Sequence, residues 1–209
     1  MDIVVVGAAG RTGRLLVEKA LENKHSVTAL LRDPAKLPIE HERLTKVRAD
    51  VFDVESLTGP LAGKEAVVIA LGVTTRTTTT VFSEGARNVI AAARAGGVRR
   101  LVTMSSAGLE TKHLPAMQRF VAEFVVDRVY RNIHLDLARM EDEVEASPLD
   151  WTIVRVPMLT DGPATPNYQA VVGGHIAKAS RIARANVADY IVTHLDDAAT
   201  YGRRVEVAN

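Results

Sequence analysis

Gly7-Ala8-Ala9-Gly10-Arg11-Thr12-Gly13 is the stretch that decides the fold. An unbroken apolar run, Ile3-Val4-Val5-Val6, leads into it, and a helical pattern carried by Leu15, Leu16, Lys19 and Ala20 follows. Strand, glycine turn and helix, in that order, suit a dinucleotide pyrophosphate. One glycine makes the tight turn, one lets the backbone approach the phosphates, and one lets helix and strand pack closely. The helix N-terminus then offers unpaired N–H groups and the positive end of its dipole to the anion. The spacing is Gly-x-x-Gly-x-x-Gly rather than the commoner Gly-x-Gly-x-x-Gly. Glycines also mark ordinary turns, so it is the flanking strand and helix that give the triplet its meaning. Gly7, Ala9, Gly10, Arg11, Thr12 and Gly13 are the first candidate cofactor-binding residues.

Apolar runs recur outward from this turn, at residues 26–31, 44–47, 66–71, 101–104 and 151–156. They are rich in β-branched residues and nearly continuous, which suits parallel strands covered by helices on both faces. Helical patterns lie between and after them, over 14–23, 54–61, 81–95, 115–146 and 187–195. The β-α alternation predicts an α/β fold with a doubly wound parallel sheet of Rossmann type. A chain of 209 residues is read as one domain, with a small segment at about 157–185 covering the substrate. Gly96-Gly97 should end the helix over 81–95, and Asn186 should cap the helix that follows it. Asp161-Gly162-Pro163-Ala164-Thr165-Pro166-Asn167 reads as a flexible segment over the site or a plain surface loop. Residues 74–80, all threonine except Arg76, follow the fourth strand. They suit contact with a cofactor ribose or substrate, or a solvated linker.

Composition narrows the partners. The net charge of +1 makes no case for nucleic acid or a membrane, and 4% aromatic residues argue against a platform for stacking bases. The absence of cysteine excludes disulfides, thiol catalysis and cysteine metal sites; no metal is expected. Met1-Asp2 runs straight into a strand, so no signal peptide is expected, nor is any apolar stretch long enough to span a membrane. The expected location is the cytoplasm.

The second strand ends Leu31-Arg32-Asp33. An acidic residue at this strand end selects NAD through the ribose hydroxyls, and an arginine selects NADP through the 2′-phosphate. Asp33 precedes Pro34 and should be used by the local turn, which leaves Arg32 for the phosphate, with Arg11 nearby. NADP(H) is the expected cofactor. Asp50, with Val51 beside it, follows the third strand and suits the adenine amino group, while Asp53 suits a helix cap.

The chain resembles the atypical short-chain dehydrogenase/reductases that bind NAD(P)H, closest to the flavin reductase/biliverdin-IXβ reductase type, with NmrA-like proteins nearby. The resemblance spans nearly the whole chain. It rests on the glycine turn, Leu31-Arg32-Asp33, Asp50-Val51, Ala70-Leu71-Gly72, Ser83-Glu84-Gly85-Ala86-Arg87-Asn88, Ser105-Ser106-Ala107, Trp151-Thr152-Ile153-Val154-Arg155 and residues 180–188. It implies a nicotinamide over the ends of the fourth and fifth strands. Ala70, Leu71 and Gly72 would run under its ribose, Ser105 and Ser106 would face the substrate, and Pro157 and Met158 would line the pocket. Typical short-chain dehydrogenases add Tyr-x-x-x-Lys for proton transfer; here those positions are Ile133 and Leu137. His134, Asp136 and Arg139 are nearby. His134 is a candidate substitute acid, or a packing histidine on a long helix. Where some members carry a pocket histidine, this chain has Met158.

Ketone reduction loads one oxygen with charge and needs a matched donor. A flavin, quinone or linear tetrapyrrole delocalises the charge, so proximity and orientation suffice. The expected function is an NADPH-dependent reductase of such a conjugated acceptor, with Ser106, Ser105 and His134 as candidate catalytic residues. One alternative is a dinucleotide sensor without turnover, which would meet a protein partner through Phe120, Val121, Phe124, Val125 and Val129, a face that otherwise reads as core. A nucleotide-sugar epimerase is the third; it ranks last because that chemistry uses the missing pair and a larger C-terminal lobe.

Overall fold

A computed structural model of the chain describes all residues except 75–76, 112–118, 120–126 and 178. Its centre is an eight-stranded sheet in the order β3-β2-β1-β4-β5-β6-β10-β8. The strands are β1 (Asp2–Val6), β2 (Ser26–Leu31), β3 (Leu44–Arg48), β4 (Ala66–Ile69), β5 (Arg100–Ser106), β6 (Asp150–Val156), β8 (Gln169–Val172) and β10 (Arg203–Ala208). All neighbours are parallel except the edge strand β8, which runs antiparallel to β10. Two short strands, β7 (Met158–Thr160) and β9 (Arg181–Ala183), pair separately. The helices are α1 (Arg11–Glu22), α2 (Val54–Leu61), α3 (Val81–Ala95), α4 (Asp127–Glu145) and α5 (Arg184–Thr193).

The apolar runs work as expected. Ile3 and Val5 pack toward α1 and α5, while Val4 and Val6 pack toward α2 and α3. All four are at most 1% exposed, because β1 is covered on both faces. Each such side chain contributes roughly 1.5–3 kcal/mol on burial. The strand order reverses between β1 and β4, and a doubly wound sheet opens its ligand crevice at that reversal.

Several boundaries differ from the sequence expectation. Helix α1 starts at Arg11 rather than residue 14, because Gly10 itself closes the first turn, its carbonyl accepting from Arg14 N–H at 2.9 Å. Strand β4 stops at Ile69, so Ala70 and Leu71 lie beyond it, and β5 extends to include Ser105 and Ser106. Helix α5 starts at Arg184, three residues early, with Ala183 at its N-cap. Asn186 is therefore no cap. It is fully buried, and its amide joins Thr165 N–H, Thr165 Oγ1 and the Asn209 side chain. Strands β7, β8 and β10 had no expectation, while β9 leads into α5 within residues 180–188, where the resemblance implies a strand running into a helix. The helical pattern over 115–146 is seen as α4 from Asp127; Phe120, Val121, Phe124 and Val125 lie outside the described residues, and Val129 is 39% exposed. Asp33, Asp53 and Gly96 act at the turn and helix ends as the sequence suggests. Among the described residues, no helix is long and apolar enough to cross a membrane, and no cluster of His, Asp and Glu is placed to hold a metal.

Arg100 ties the base of the sheet to the C-terminal elements. It is 4% exposed and donates to Leu195 O at 2.7 Å, Asp150 O at 2.7 Å and Thr200 Oγ1 at 3.1 Å, with its guanidinium 4.5 Å from the Tyr201 ring centre. Burial pulls its pKa below the ordinary arginine value, yet a guanidinium stays charged at neutral pH. Arg100→Met keeps the volume but strands buried acceptors. It should cost roughly 3 kcal/mol, read as a lower urea midpoint at unchanged slope; a loss below about 1 kcal/mol would show that water replaces these bonds.

Candidate functional site

The glycine turn sits at the crevice between β1 and β4. Gly7 has a φ of +82°, and a Cβ there would lie 2.7 Å from Ala70 O. A Cβ on Gly13 would lie 2.2 Å from Gly7 O and 2.9 Å from Ala8 Cα. The start of α1 is thus pressed against the end of β1 with no room for a methyl group. Gly10 caps α1 with no side-chain hydrogen bond, and the first turn carries no acidic residue. The N–H groups at that end are left to an incoming anion.

Beside the turn is a cavity of about 520 Å³, whose walls include Ala9, Gly10, Arg11, Arg14, Asp161 and Pro163. Asp161 joins two cations across it: Arg11 Nη1 donates to Oδ2 at 2.8 Å and Arg184 Nη1 to Oδ1 at 2.5 Å. The segment after β7 is thereby drawn against the glycine turn, at Asp161 by charge and at Thr165 by Asn186. Arg14 and Arg184 were not singled out as site residues in the sequence, and Asp161 only as the start of the 161–167 segment. Arg14 was findable, since it falls one helical turn after Arg11; the other two are joined to the turn only by tertiary folding.

Arg32 is exposed just past β2, while Asp33 accepts from Ala35 N–H at 3.1 Å and is spent on the local turn. Arg14 Nη2 donates to Lys36 O at 3.1 Å and brings α1 against this corner. Asp50 Oδ1 accepts from Phe52 N–H, which shapes the turn after β3, and Asn88 Nδ2 donates to Val51 O at 2.8 Å. A Cβ on Gly85 would come 2.8 Å from Leu71 Cδ1 and 3.3 Å from Val51 Cγ2. The Ser83–Asn88 stretch is thus a brace, on which Val51 and Leu71 rest. Asp136 of α4, 1% exposed, anchors it by accepting from Phe82 N–H at 2.9 Å and Ser83 Oγ at 2.5 Å.

At the far end, Ala70, Leu71 and Gly72 follow β4, next to the end of β5. Ser105 is 5% exposed, and its Oγ has no hydrogen-bond partner among the described residues. Ser106 Oγ accepts from Gly108 N–H at 3.1 Å and lies 3.4 Å from His134 Nε2. His134 stacks on Tyr130, with ring centres 6.3 Å apart. The two candidates from β5 and α4 therefore meet. Ile133 and Leu137 face the core, where the latter is 7% exposed. Pro157 is half-buried, and Met158 is 65% exposed at the start of β7. Arg155 fixes the neighbouring loop: it is 7% exposed, pairs twice with Glu141 at 3.0 and 2.6 Å, and donates to Glu110 at 2.8 Å. That guanidinium holds the Glu110 carboxyl below the usual carboxylate range.

The contacts rank the glycines. Gly13→Ala should destabilise the chain by roughly 3 kcal/mol, since backbone must move. Gly10→Ala, whose Cβ would meet Gly7 O at 3.2 Å, should cost less than half of that. Equal losses in chemical denaturation would contradict the close helix–strand packing.

Comparison with known proteins agrees with this geometry. A 116-residue stretch is 38% identical to cinnamoyl-CoA reductase 1 of Oryza sativa subsp. japonica, and covers 51% of this chain but 34% of that enzyme. In the solved structures, a short-chain dehydrogenase/reductase from Veillonella parvula in complex with NADP superposes with a TM-score of 0.84 at 19% identity, over 100% of this chain and 94% of that one. An anaerobillin reductase from Escherichia coli O157:H7 superposes with a TM-score of 0.78 at 21% identity, over 100% and 97% of the two chains. These likenesses show the doubly wound fold. The chain also matches the NAD(P)H-binding family along residues 7–198, and it belongs to that family.

Proposed function

We propose that this chain is an NADPH-dependent reductase that passes hydride to a conjugated acceptor, a flavin, a quinone or a tetrapyrrole-like molecule. One observation carries the reading. The glycine turn closes on an uncapped helix end, while Ile133 and Leu137, at the positions where the resemblance would place the proton-transfer tyrosine and lysine, both pack toward the core.

The residues present fit the dinucleotide. Gly7, Ala9, Gly10, Thr12 and Gly13 form the cradle at an uncapped helix end, with Gly7 and Gly13 packed too closely on the backbone behind them to admit a Cβ. Arg11 stands over it, ready to exchange the Asp161 carboxylate for a phosphate. Arg32 takes the 2′-phosphate, in a corner where Lys36 adds a second cation. Asp50 and Val51 border the adenine, and Ala70, Leu71 and Gly72 carry the nicotinamide ribose. Pro157 and Met158 shape the pocket beyond. NADPH supplies the hydride when bound; the protein's part is to orient it and to keep water from the reacting face. Met158 offers a soft apolar surface to a flat acceptor, and Ser106 a hydroxyl to its polar edge.

The test is the loss of NADPH absorbance with FMN, riboflavin or menadione, with NADH run in parallel. Oxidation should be saturable and acceptor-dependent, with kcat/KM favouring NADPH. Arg32→Ser should reduce that preference by about 10- to 100-fold, the worth of a charge-assisted phosphate contact. Tight NADPH binding with no acceptor reduced would remove the reductase reading in favour of a dinucleotide sensor.

A further inference from the structure

We infer that Ser106 and His134 form a proton relay, and that the acceptor is a conjugated carbonyl compound, such as a quinone, whose oxygen takes its proton from Ser106. This rests on the reductase reading above and narrows its substrate.

A hydroxyl group has two lone pairs and one hydrogen. Gly108 N–H donates to Ser106 Oγ at 3.1 Å. His134 Nε2 lies 3.4 Å from the same oxygen, close enough to donate into the second lone pair when it carries a proton. Both acceptor sites of Ser106 are then filled from within the protein, and its single hydrogen is left for a group in the crevice. Contacts of this length in a ligand-free site tighten when substrate binds.

The surroundings are built for this contact. A Cβ on residue 108 would lie 3.2 Å from both His134 Cε1 and Ser106 Oγ, so a larger residue would push the ring and the hydroxyl by a few tenths of an ångström. Tyr130, one turn earlier on α4, stacks on the imidazole. Ser106 stands at the carboxyl end of β5, where ligands of a doubly wound sheet lie. His134 occupies α4 one residue after Ile133, the position of the absent tyrosine. Serine on the strand and a titratable ring on the helix thus replace the missing pair by a different pairing of residues.

The step balances as follows. One carbonyl oxygen of the quinone receives hydride from the reduced nicotinamide, so an O–H bond forms as the nicotinamide C–H bond breaks. The displaced π electrons move through the ring to the other carbonyl oxygen, which takes the Ser106 hydrogen. Ser106 regains a hydrogen from His134 Nε2, and the imidazole is reprotonated by water. The acceptor gains two electrons and two hydrogens, and the nicotinamide is oxidised. A conjugated carbonyl compound delocalises charge yet ends with a share of it on its oxygen, where a positioned donor speeds the step, whereas a flavin spreads the charge further and takes its proton from solvent. His134 acts through Ser106, so it is a positioning and proton-supplying residue; Ser106 is the one that touches substrate.

Four variants test the relay: His134→Ala, His134→Gln, Ser106→Ala and Gly108→Ala, each assayed with menadione and with FMN, and each titrated with NADPH by fluorescence. With menadione, His134→Ala should lower kcat about 100-fold with little change in KM. The menadione-to-FMN rate ratio should fall at least about 10-fold, and the NADPH Kd should stay within about twofold. Added imidazole should restore the menadione rate of His134→Ala but not that of Ser106→Ala. Gln keeps a hydrogen bond without an exchangeable acid, so His134→Gln should be as slow as His134→Ala; Gly108→Ala should lower the same ratio. Equal losses on both acceptors without imidazole rescue, or no loss at all, would overturn the relay while leaving the reductase intact. If the wild-type chain binds NADPH and reduces neither acceptor, the reductase reading fails, and the relay with it.

Discussion

The structure depends on how closely α1 approaches the end of β1. Gly13 has room for no more than a hydrogen against the Gly7 carbonyl, and Gly7 no more than a hydrogen against Ala70 O. Those two contacts bring together the first strand, the first helix and the end of β4 at the one place where the strand order reverses. Apolar burial on both faces of β1 holds the sheet beneath them. The helix end and the segment after β4 that the proposed function assigns to the dinucleotide are held next to each other by that packing.

Charge is used differently in the C-terminal half. Arg100, Asp136, Arg155, Glu141 and Asn186 are all nearly or fully buried, and each binds groups distant in sequence. A buried charge with its bonds made contributes modestly, but breaking one side leaves a penalty of several kcal/mol. Such groups specify one arrangement of chain rather than merely favouring compactness. Asp136 caps α3, which lets α3 brace Val51 and Leu71; Arg155 holds Glu110, which follows the Ser106–Gly108 turn. The two ends of the crevice are thus supported by polar anchors within a largely apolar scaffold.

On the proposed reading, the chemistry turns on Ile133 and Leu137, at the positions where the resemblance would place tyrosine and lysine. With Ile133 and Leu137 turned to the core, the α4 side of the crevice presents His134 instead, against Ser106. Hydride transfer needs orientation above all, which the proposed dinucleotide cradle would supply. The proton is the variable part of such reactions. A fold that keeps its cofactor site while changing the proton donor can move among acceptors that differ in where their charge collects.

The sequence by itself determined the α/β class, the glycine turn and the use of Asp33, Asp53 and Gly96 at turn and helix ends. Those features depend on apolar runs, on backbone conformation and on capping within a few residues, all of which are local. It also pointed to Ser106 and His134 separately. Only the tertiary structure decided that they meet, since the loop at Gly108 and the packing of α4 on β5 set that distance. It alone placed Asp161 between Arg11 and Arg184, and it moved Asn186 from a supposed cap to a buried clasp. Strand β10 was illegible for a related reason. Arg204 and Glu206 alternate with Val205 and Val207, a pattern unlike a strand covered by apolar layers, and only their partners on α4 and after β8 make those charges tolerable inside the sheet. Long-range ion pairs leave no periodic trace in sequence, so what they hold together has to be seen folded.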